Sequence, residues 1–251
     1  MTDTQIQLCG KLVVRIDGER VEDALPGTQG RLLFGFLALN RDRHHSRAEL
    51  VEAVWGERLP SAPDPALRAL LSKLRTAIGA ELVDGKAEIR LALPMGASID
   101  TERAAEAIHN ADSAVAQSDW QRAWVHSHIA VNIARRRFLA GHEAAWIDVE
   151  RRALEDVHLR GLESLAASGL GLGGPELDLA ERSARSLTEL APYRESGHRV
   201  LMEVLAARGN VAEALLAYES LRRRLREELG IAPGDELQAL HAELLGRGAA
   251  S

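Results

Sequence analysis

The stretch from residue 46 to residue 79 constrains the fold most, because its caps and breakers define two short helices joined by a tight, proline-containing turn. Ser46 and Glu49 have the S-x-x-E spacing of a capping box, in which two side chains satisfy backbone N–H groups at a helix start. Gly56 follows Trp55 and is the residue type that most easily continues the chain beyond a helix end. The first helix is therefore predicted to begin at Ser46 and to stop at Gly56.

The second helix of this stretch is predicted to have one apolar and one cationic side. Asp64 is expected to be its N-cap with Pro65 at the first helical position, and Gly79 is expected to end it. The apolar residues that recur at helical spacing are Leu67, Leu70, Leu71, Leu74 and Ile78. Those that lie largely off that face are Arg68, Ser72, Lys73, Arg75 and Thr76. A helical hairpin with cations outward on its second helix can place that helix in a DNA major groove, although an ordinary hairpin with solvated cations has the same pattern.

Strand patterns precede these two helices. Residues 6–8 and 12–16 alternate or run apolar, and the Asp-Gly pair at 17–18 is a hairpin turn signal. Apolar periodicity then predicts a helix from about 28 to 39, with Asn40 able to take the left-handed position at its end.

A second hairpin is predicted after the two helices. Residues 81–83 and 89–93 flank an Asp-Gly pair at 84–85, which is a strong two-residue turn signal. A sheet, three helices and a hairpin, in this order, are typical of a winged helix with an N-terminal sheet. The Pro-Met-Gly run at 94–96 is a plausible boundary, so residues 1–96 are predicted to form this domain and residues 97–251 a second one.

From about residue 100 to 245 the pattern is helical and contains an internal repeat. The residue pairs that lie 34 positions apart are Ala180 and Ala214, Ala184 and Tyr218, and Leu187 and Leu221. This is the tetratricopeptide period, and an earlier unit is expected around Trp120 and Ala123. The glycine-rich run Gly169–Gly174 lacks the Lys-Ser/Thr of a phosphate-binding loop, so it is expected to be a flexible loop between helices. The expected fold class is mainly α with a small β component. Repeats of this kind commonly form protein-binding or dimerisation surfaces.

Composition narrows the function classes. The 251 residues carry a net charge of −6 and a single cysteine, which excludes a disulfide framework and a cysteine-based zinc site and fits a reducing cytoplasm. Residues 1–96 contain equal numbers of basic and acidic side chains, so the whole negative charge lies in the remainder. Phosphate contacts are therefore expected only in the N-terminal part. Neither a signal peptide nor a membrane-spanning run is predicted.

No catalytic constellation is recognisable, and we expect no enzyme activity, cofactor or metal. The nine histidines are scattered, and His44 and His45 are expected to be solvated or close to phosphate. His126 and His128 lie on different sides of a helix and make a poor metal pair. Cys9 lies on a predicted strand and is expected to be buried rather than nucleophilic.

Several segments resemble a known family. LCGKLVVRIDGERV and SRAELVEAVWGERLPSAPDPALRALLSKLRTAIG are similar to the N-terminal half of SARP-type transcriptional activators, antibiotic-pathway regulators with an OmpR-like winged helix-turn-helix. APYRESGHRVLMEVLAARGNVAEALLAYESLRRRLREELGIAPGDELQALHAELL resembles the bacterial transcriptional activator domain that follows it in this family. The resemblance covers residues 6–245.

The resemblance implies a sequence-specific DNA-binding regulator, usually an activator. Its partners would be double-stranded DNA at promoter direct repeats and RNA polymerase subunits, with a homodimer possible and no membrane involved. The helix predicted over 65–78 would enter the major groove, and Ser46 and Arg47 would meet backbone phosphate. The candidate DNA-binding residues are Arg68, Ser72, Lys73, Arg75, Thr76, Ser46, Arg47 and Arg90.

An alternative stays open at this point. The predicted wing carries Glu81, Asp84 and Glu88 against Lys86 and Arg90, which is poor chemistry for a DNA contact. The chain could instead be an interaction or adaptor module, or part of a larger signalling regulator, whose winged helix binds DNA weakly or not at all.

Overall fold

The computed structural model describes residues 4–249, with side chains described as far as residue 246. Its strands are β1 (Gln5–Gln7), β2 (Val13–Ile16), β3 (Glu19–Arg20), β4 (His45–Ser46), β5 (Val83–Asp84), β6 (Glu88–Leu91) and β7 (Ser98–Ile99). Its helices are α1 (Gly27–Leu39), α2 (Arg47–Trp55), α3 (Pro63–Ile78), α4 (Asp100–Ala116), α5 (Trp120–Ala134), α6 (Ala145–Leu172), α7 (Glu176–Leu190), α8 (Glu195–Ala207), α9 (Val211–Arg224) and α10 (Asp235–Ala249). The described chain is mainly helical with small sheets, as predicted.

The chain folds into two compact units that are discontinuous in sequence. The first, called the N-terminal unit below, comprises the residues up to 104 together with 133–155. The second, called the helical unit, comprises residues 105–132 and those from 156 onward. The predicted boundary between residues 96 and 97 divides the sequence into two continuous domains, and it stays a prediction.

A four-stranded sheet opens the N-terminal unit, with the strand order β3-β2-β1-β7. The turn predicted at 17–18 joins β2 to β3, and Asp17 and Gly18 take positive φ angles of 50° and 87°. β1 ends before Leu8, one residue earlier than predicted, since the N–H groups of Leu8 and Cys9 donate to the Asp100 carboxylate at 2.8 and 3.0 Å.

Residues 133–155 complete the core of the N-terminal unit. Phe138 forms an isolated antiparallel bridge with Cys9 and is 1% exposed. The N–H of Leu139 donates to the carbonyl of Leu8 at 2.8 Å, and the indole N–H of Trp146 donates to the carbonyl of Ala53 at 3.0 Å. A segment far along the chain therefore supports both the first sheet and α2.

Helix α2 begins and ends where the sequence predicts. Both hydrogen bonds of the Ser46–Glu49 capping box are present, and Gly56 ends the helix with φ 52°. The end of α1 differs from the prediction, because Asn40 has φ −117° and its side-chain amide donates to the carbonyl of Phe36. That hydrogen bond satisfies the end of α1 without a left-handed residue.

Helix α3 begins at Pro63, so the predicted start at Pro65 with Asp64 as N-cap is wrong. The N-cap residue is Ala62, which has no side-chain acceptor, and Asp64 lies in the first turn, where it accepts from Arg47. The end at Gly79, with φ 104°, is confirmed. The predicted apolar side is also confirmed as buried, and it consists of Leu67, Leu70, Leu71, Leu74 and Ile78.

Strands β5 and β6 form the predicted hairpin, called the β5–β6 hairpin below, within a sheet of order β4-β6-β5. The predicted two-residue turn is wrong, because Asp84 pairs with Arg90 and the loop runs over several residues from Gly85. A Cβ atom on Gly85, whose φ is +88°, would lie 1.8 Å from the carbonyl oxygen of Glu88. Side chains outside the hairpin bind the loop's carbonyl groups, so the loop is not a self-contained turn.

The helical unit buries the residues predicted from the 34-residue repeat. These residues are Ala180, Ala184, Leu187, Ala214, Tyr218 and Leu221, each at most 5% exposed. Five of them lie in one core cluster with residues of α8 and α10, such as Met202 and Leu244.

The expectation of a flexible glycine loop at Gly169–Gly174 is wrong, because α6 continues to Leu172. A Cβ atom on Gly169 would lie 2.8 Å from the Trp124 ring, and one on Gly171 would lie 2.4 Å from the Trp120 ring. These glycines are therefore helical residues over which aromatic rings pack closely, and the chain leaves the helix at Gly173 and Gly174, which have positive φ angles.

Candidate nucleic-acid interface

The exposed side of α3 brings together four of the predicted DNA-binding residues. Arg68, Ser72 and Thr76 follow one another at intervals of four residues, and Lys73 lies next to them; all four are exposed. The Thr76 hydroxyl donates to the carbonyl of Ser72 at 3.1 Å within the helix. Neither Arg68 nor Lys73 forms a hydrogen bond or an ion pair with any residue described by the structure. Their cationic groups are therefore available to an external anion.

Arg75 occupies a different environment from these four residues. It is half-buried, and its guanidinium donates from Nε to the carbonyl of Val83 at 3.1 Å and from Nη2 to that of Gly85 at 2.7 Å. The structure thus revises the expectation that Arg75 presents its guanidinium outward, since two of its donors already bind the β5–β6 hairpin. The sequence offered no signal for this contact. Val83 and Gly85 lie 8 and 10 positions after Arg75, and only the fold brings their carbonyls to the guanidinium.

Arg47 at the start of α2 is likewise bound within the protein. Its Nε lies 3.2 Å from Oδ1 of Asp64, and its Nη2 donates to the backbone carbonyl of the same residue at 3.2 Å. Its Nη1 donates to the carbonyl of Lys86 at 3.5 Å. Arg47 therefore connects α2, the first turn of α3 and the hairpin loop.

The N-terminus of α2 already holds a carboxylate. Oε2 of Glu49 accepts from the N–H of Ser46 at 2.8 Å, and Oε1 accepts from Arg43 at 2.9 Å. These hydrogen bonds, with that from Ser46 first, lower the pKa of Glu49 to about 2. A phosphate contact at Ser46 stays a prediction, and it would have to form beside this negative charge.

The low pKa of Glu49 makes the cap of α2 sensitive to acid. Because the folded-state pKa of about 2 lies below the ordinary value of 4.5, the stabilisation is fully present above pH 4.5 and is lost as the pH falls toward 2. Carboxyl-carbon NMR shifts should give a titration midpoint near 2 for Glu49. An Arg43→Ala variant should raise that midpoint, and a wild-type midpoint of 4 or above would contradict the capping geometry.

The β5–β6 hairpin has mixed charge. Arg90 is half-buried and lies 3.6 Å from the Asp84 carboxylate, so it is paired within the hairpin. Glu88 and Lys86 are exposed, and the Lys86 ammonium has no partner among the residues that the structure describes. Lys86 was not among the predicted DNA-binding residues, although its place next to Gly85 in a turn was visible in the sequence.

The expectation that His45 is solvated or close to phosphate is wrong. Its side chain is fully buried, Nε2 lies 2.9 Å from the carbonyl oxygen of Asn40, and its ring packs edge-on against Phe36 at 5.0 Å. His44 beside it is exposed. Pairing of His45 with Ile89 in the second sheet turns its side chain inward.

Cys9 is buried, as predicted. Burial and the nearby Asp100 carboxylate raise the pKa of its thiol far above the usual value, so the thiol stays protonated. Among the described residues, no group of three or more His, Cys, Asp or Glu side chains is placed to hold a metal ion. None of the described helices combines the length and the apolar character that crossing a membrane requires.

Comparisons with known proteins agree with this architecture. The family described as the bacterial transcriptional activator domain matches residues 99–245. The regulatory protein AfsR of Streptomyces coelicolor is 32% identical over 238 residues, which cover 91% of this chain and 23% of AfsR. The transcriptional regulatory protein EmbR of Mycobacterium tuberculosis is 26% identical over 246 residues, which cover 95% of this chain and 62% of EmbR.

A solved structure of Mycobacterium tuberculosis EmbR, in complex with a low-affinity phosphopeptide, has the same fold. It aligns with a TM-score of 0.81 at 24% identity and covers 98% of this chain and 66% of that one. The chain thus spans less than a quarter of AfsR and under two thirds of EmbR. Since the family match takes in more than half of the 251 residues, the chain belongs to the SARP-type transcriptional activators, the family that carries the bacterial transcriptional activator domain.

Proposed function

We propose that this chain regulates transcription by binding double-stranded DNA through the exposed side of α3. The observation that carries the proposal is the pair of exposed cations, Arg68 and Lys73, which have no carboxylate partner within the described residues. Protein–DNA affinity depends largely on such cations, because each phosphate contact releases condensed counterions. The buried leucine face of α3 holds the helix on the N-terminal unit while these cations face outward.

The dimensions of α3 suit a major groove. Arg68, Ser72 and Thr76 rise along one side of the helix by about 6 Å per four residues, and B-DNA admits a helix in a major groove about 12 Å wide. Arg68 has the forked donors that bind O6 and N7 of guanine together, whereas Lys73 is a point charge suited to phosphate. We assign base contact to Arg68 and backbone contact to Lys73, with Ser72 and Thr76 as hydroxyl partners.

The remaining elements of the proposal follow from family membership. The β1–β3 sheet, α1 to α3 and the β5–β6 hairpin act as a winged helix, and the helical unit acts as a tetratricopeptide-like platform. We infer that copies bind direct repeats near promoters and that the helical unit contacts RNA polymerase or a second copy of the chain.

The test compares duplex binding by matched variants. Affinity for DNA upstream of the protein's own gene and for random duplex is measured over a range of salt concentrations. Lys73→Ala should weaken binding to both duplexes by a similar factor and should reduce the slope of log affinity against log salt concentration by about 1. Arg68→Ala should cost about 1–3 kcal/mol of binding free energy on the specific site alone. Lys11→Ala and Arg152→Ala remove exposed cations elsewhere in the same unit and should change neither the affinity for duplex nor its dependence on salt.

The acidic hairpin residues favour one competing function. Glu81 precedes the hairpin, and Asp84 and Glu88 lie within it. All three are exposed and would repel phosphate, as expected of an interaction module whose winged helix no longer binds DNA. Equal, weak affinity for specific and random duplex, unchanged in both α3 variants, would support that function and overturn the proposal.

A further inference from the structure

Two arginines predicted to bind DNA donate hydrogen bonds to backbone carbonyls of the β5–β6 hairpin. Arg75 reaches from the end of α3 to the carbonyls of Val83 and Gly85, at 3.1 and 2.7 Å. Arg47 reaches from the start of α2 to the carbonyl of Lys86, at 3.5 Å. Three carbonyls of one hairpin, one in β5 and two in the loop, are thus held by two guanidinium groups anchored on the helices.

The hairpin needs such support, because its own pairing is short. β5 has two residues, and its register with β6 consists of Val83 with Leu91 and Asp84 with Arg90. Only β6 pairs further, with β4, so β5 and the loop depend on these two pairs and on contacts from the helices. Hydrogen bonds from a charged donor are stronger than neutral ones, so the Arg75 contacts are large relative to the pairing within the hairpin.

We propose that Arg75, assisted by Arg47, is a positioning residue that fixes the β5–β6 hairpin on α3 and thereby places Lys86 against the DNA backbone. This rests on the proposed function of α3 as the DNA-binding helix. Lys86 lies at the held tip, is exposed, and has no described carboxylate partner, whereas Arg90 is occupied by Asp84. DNA would then meet a preformed unit of helix and hairpin rather than a hairpin that orders on binding.

The first part of the test uses the full chain without DNA. Amide hydrogen exchange is measured at residues 83–91 in the wild type, in Arg75→Ala and in Arg75→Lys. In both variants the amides of residues 83–91 should exchange about tenfold faster than in the wild type, while exchange in α1 should not change. Lysine does not preserve the contact, because its ammonium cannot span two carbonyls as the guanidinium fork does. Unchanged exchange in the hairpin would overturn the positioning role.

The second part of the test is a double-mutant cycle on duplex binding. Lys86→Ala alone should weaken specific and random duplex equally and lower the salt slope by about 1. In the Arg75→Lys background, which keeps the charge, Lys86→Ala should have a much smaller effect, because the released hairpin no longer places Lys86. Additive effects would mean that Arg75 does not place Lys86, and full rescue of Arg75→Ala by Arg75→Lys would mean that Arg75 serves binding through its charge alone. Either result would overturn the proposal.

These experiments distinguish failure of the proposed function of α3 from failure of the proposed role of Arg75 and Lys86. If the wild type binds no duplex, the proposed function and the role of Lys86 both fail, while faster hairpin exchange in Arg75→Ala would still support Arg75 as the residue that holds the hairpin. If the wild type binds duplex but Lys86→Ala changes nothing, the inference fails and the function of α3 stands.

Discussion

Replacing Gly85 with alanine should destabilise the N-terminal unit by about 3 kcal/mol or more, since the substitution combines a disfavoured backbone conformation with a backbone clash. Gly85 has φ +88°, and an added Cβ would lie 1.8 Å from the carbonyl oxygen of Glu88. No rotamer change can relieve contact with a backbone atom. The loop would have to move, and the Gly85 carbonyl would then leave Arg75. Urea unfolding followed by a probe in this unit measures the effect.

Gly18→Ala is the matched control for Gly85→Ala. Gly18 lies in the β2–β3 turn of the same unit with φ +87°, and no atom lies within 4 Å of its would-be Cβ. The Gly18→Ala variant should lose only about 1–2 kcal/mol of stability, which is the cost of placing a residue with a Cβ atom in the left-handed conformation. Equal losses in the two variants would mean that the hairpin loop relaxes freely, contrary to the tight geometry at Gly85.

Replacing Asp100 with alanine is expected to have the other large effect, about 3–5 kcal/mol of lost stability, because it leaves two buried backbone N–H groups without an acceptor. Asp100 is 6% exposed, and its two carboxylate oxygens accept from the N–H groups of Leu8 and Cys9. Arg136 lies 3.8 Å from the same carboxylate. The variant leaves two backbone donors without acceptors where β1 ends. Arg136 adds little to the loss, because its side chain is 34% exposed and also donates to Gln7 at 3.0 Å.

Glu102→Ala provides the control for Asp100→Ala from the same helix turn. Glu102 pairs with Arg41 at 2.7 Å, but its side chain is 44% exposed, so its removal should cost about 1 kcal/mol or less. The midpoint of urea unfolding should therefore separate the two variants clearly. Similar midpoints would indicate that water reaches the Asp100 site and replaces its hydrogen bonds.

Local signals in the sequence predicted the start of α2 and the buried side of α3. The capping box at Ser46 and the leucine face of α3 depend on residues within one or two turns, so their spacing is visible in the chain itself. The 34-residue repeat was visible for a similar reason, since small residues recur wherever helix pairs pack.

What the sequence could not predict depends on contacts between distant residues. The ring of Trp120 packs over helical Gly171, and Phe138 pairs with Cys9, which lies more than a hundred residues earlier in the chain. At the candidate site, the exposed positions of Arg68 and Lys73 followed from helical periodicity. The contact of Arg75 with the hairpin did not, because no local pattern indicates where a loop's carbonyl groups will lie.

The most direct test of the central claim is to map amide chemical-shift changes on the full chain during titration with duplex DNA from upstream of its own gene. If α3 is the DNA-binding helix, the largest changes should fall at residues 68, 72, 73 and 76 of α3 and at Lys86 in the hairpin loop, and they should diminish as salt is raised. Changes that are absent at α3, or that concentrate in the helical unit while α3 stays unaffected, would contradict the account.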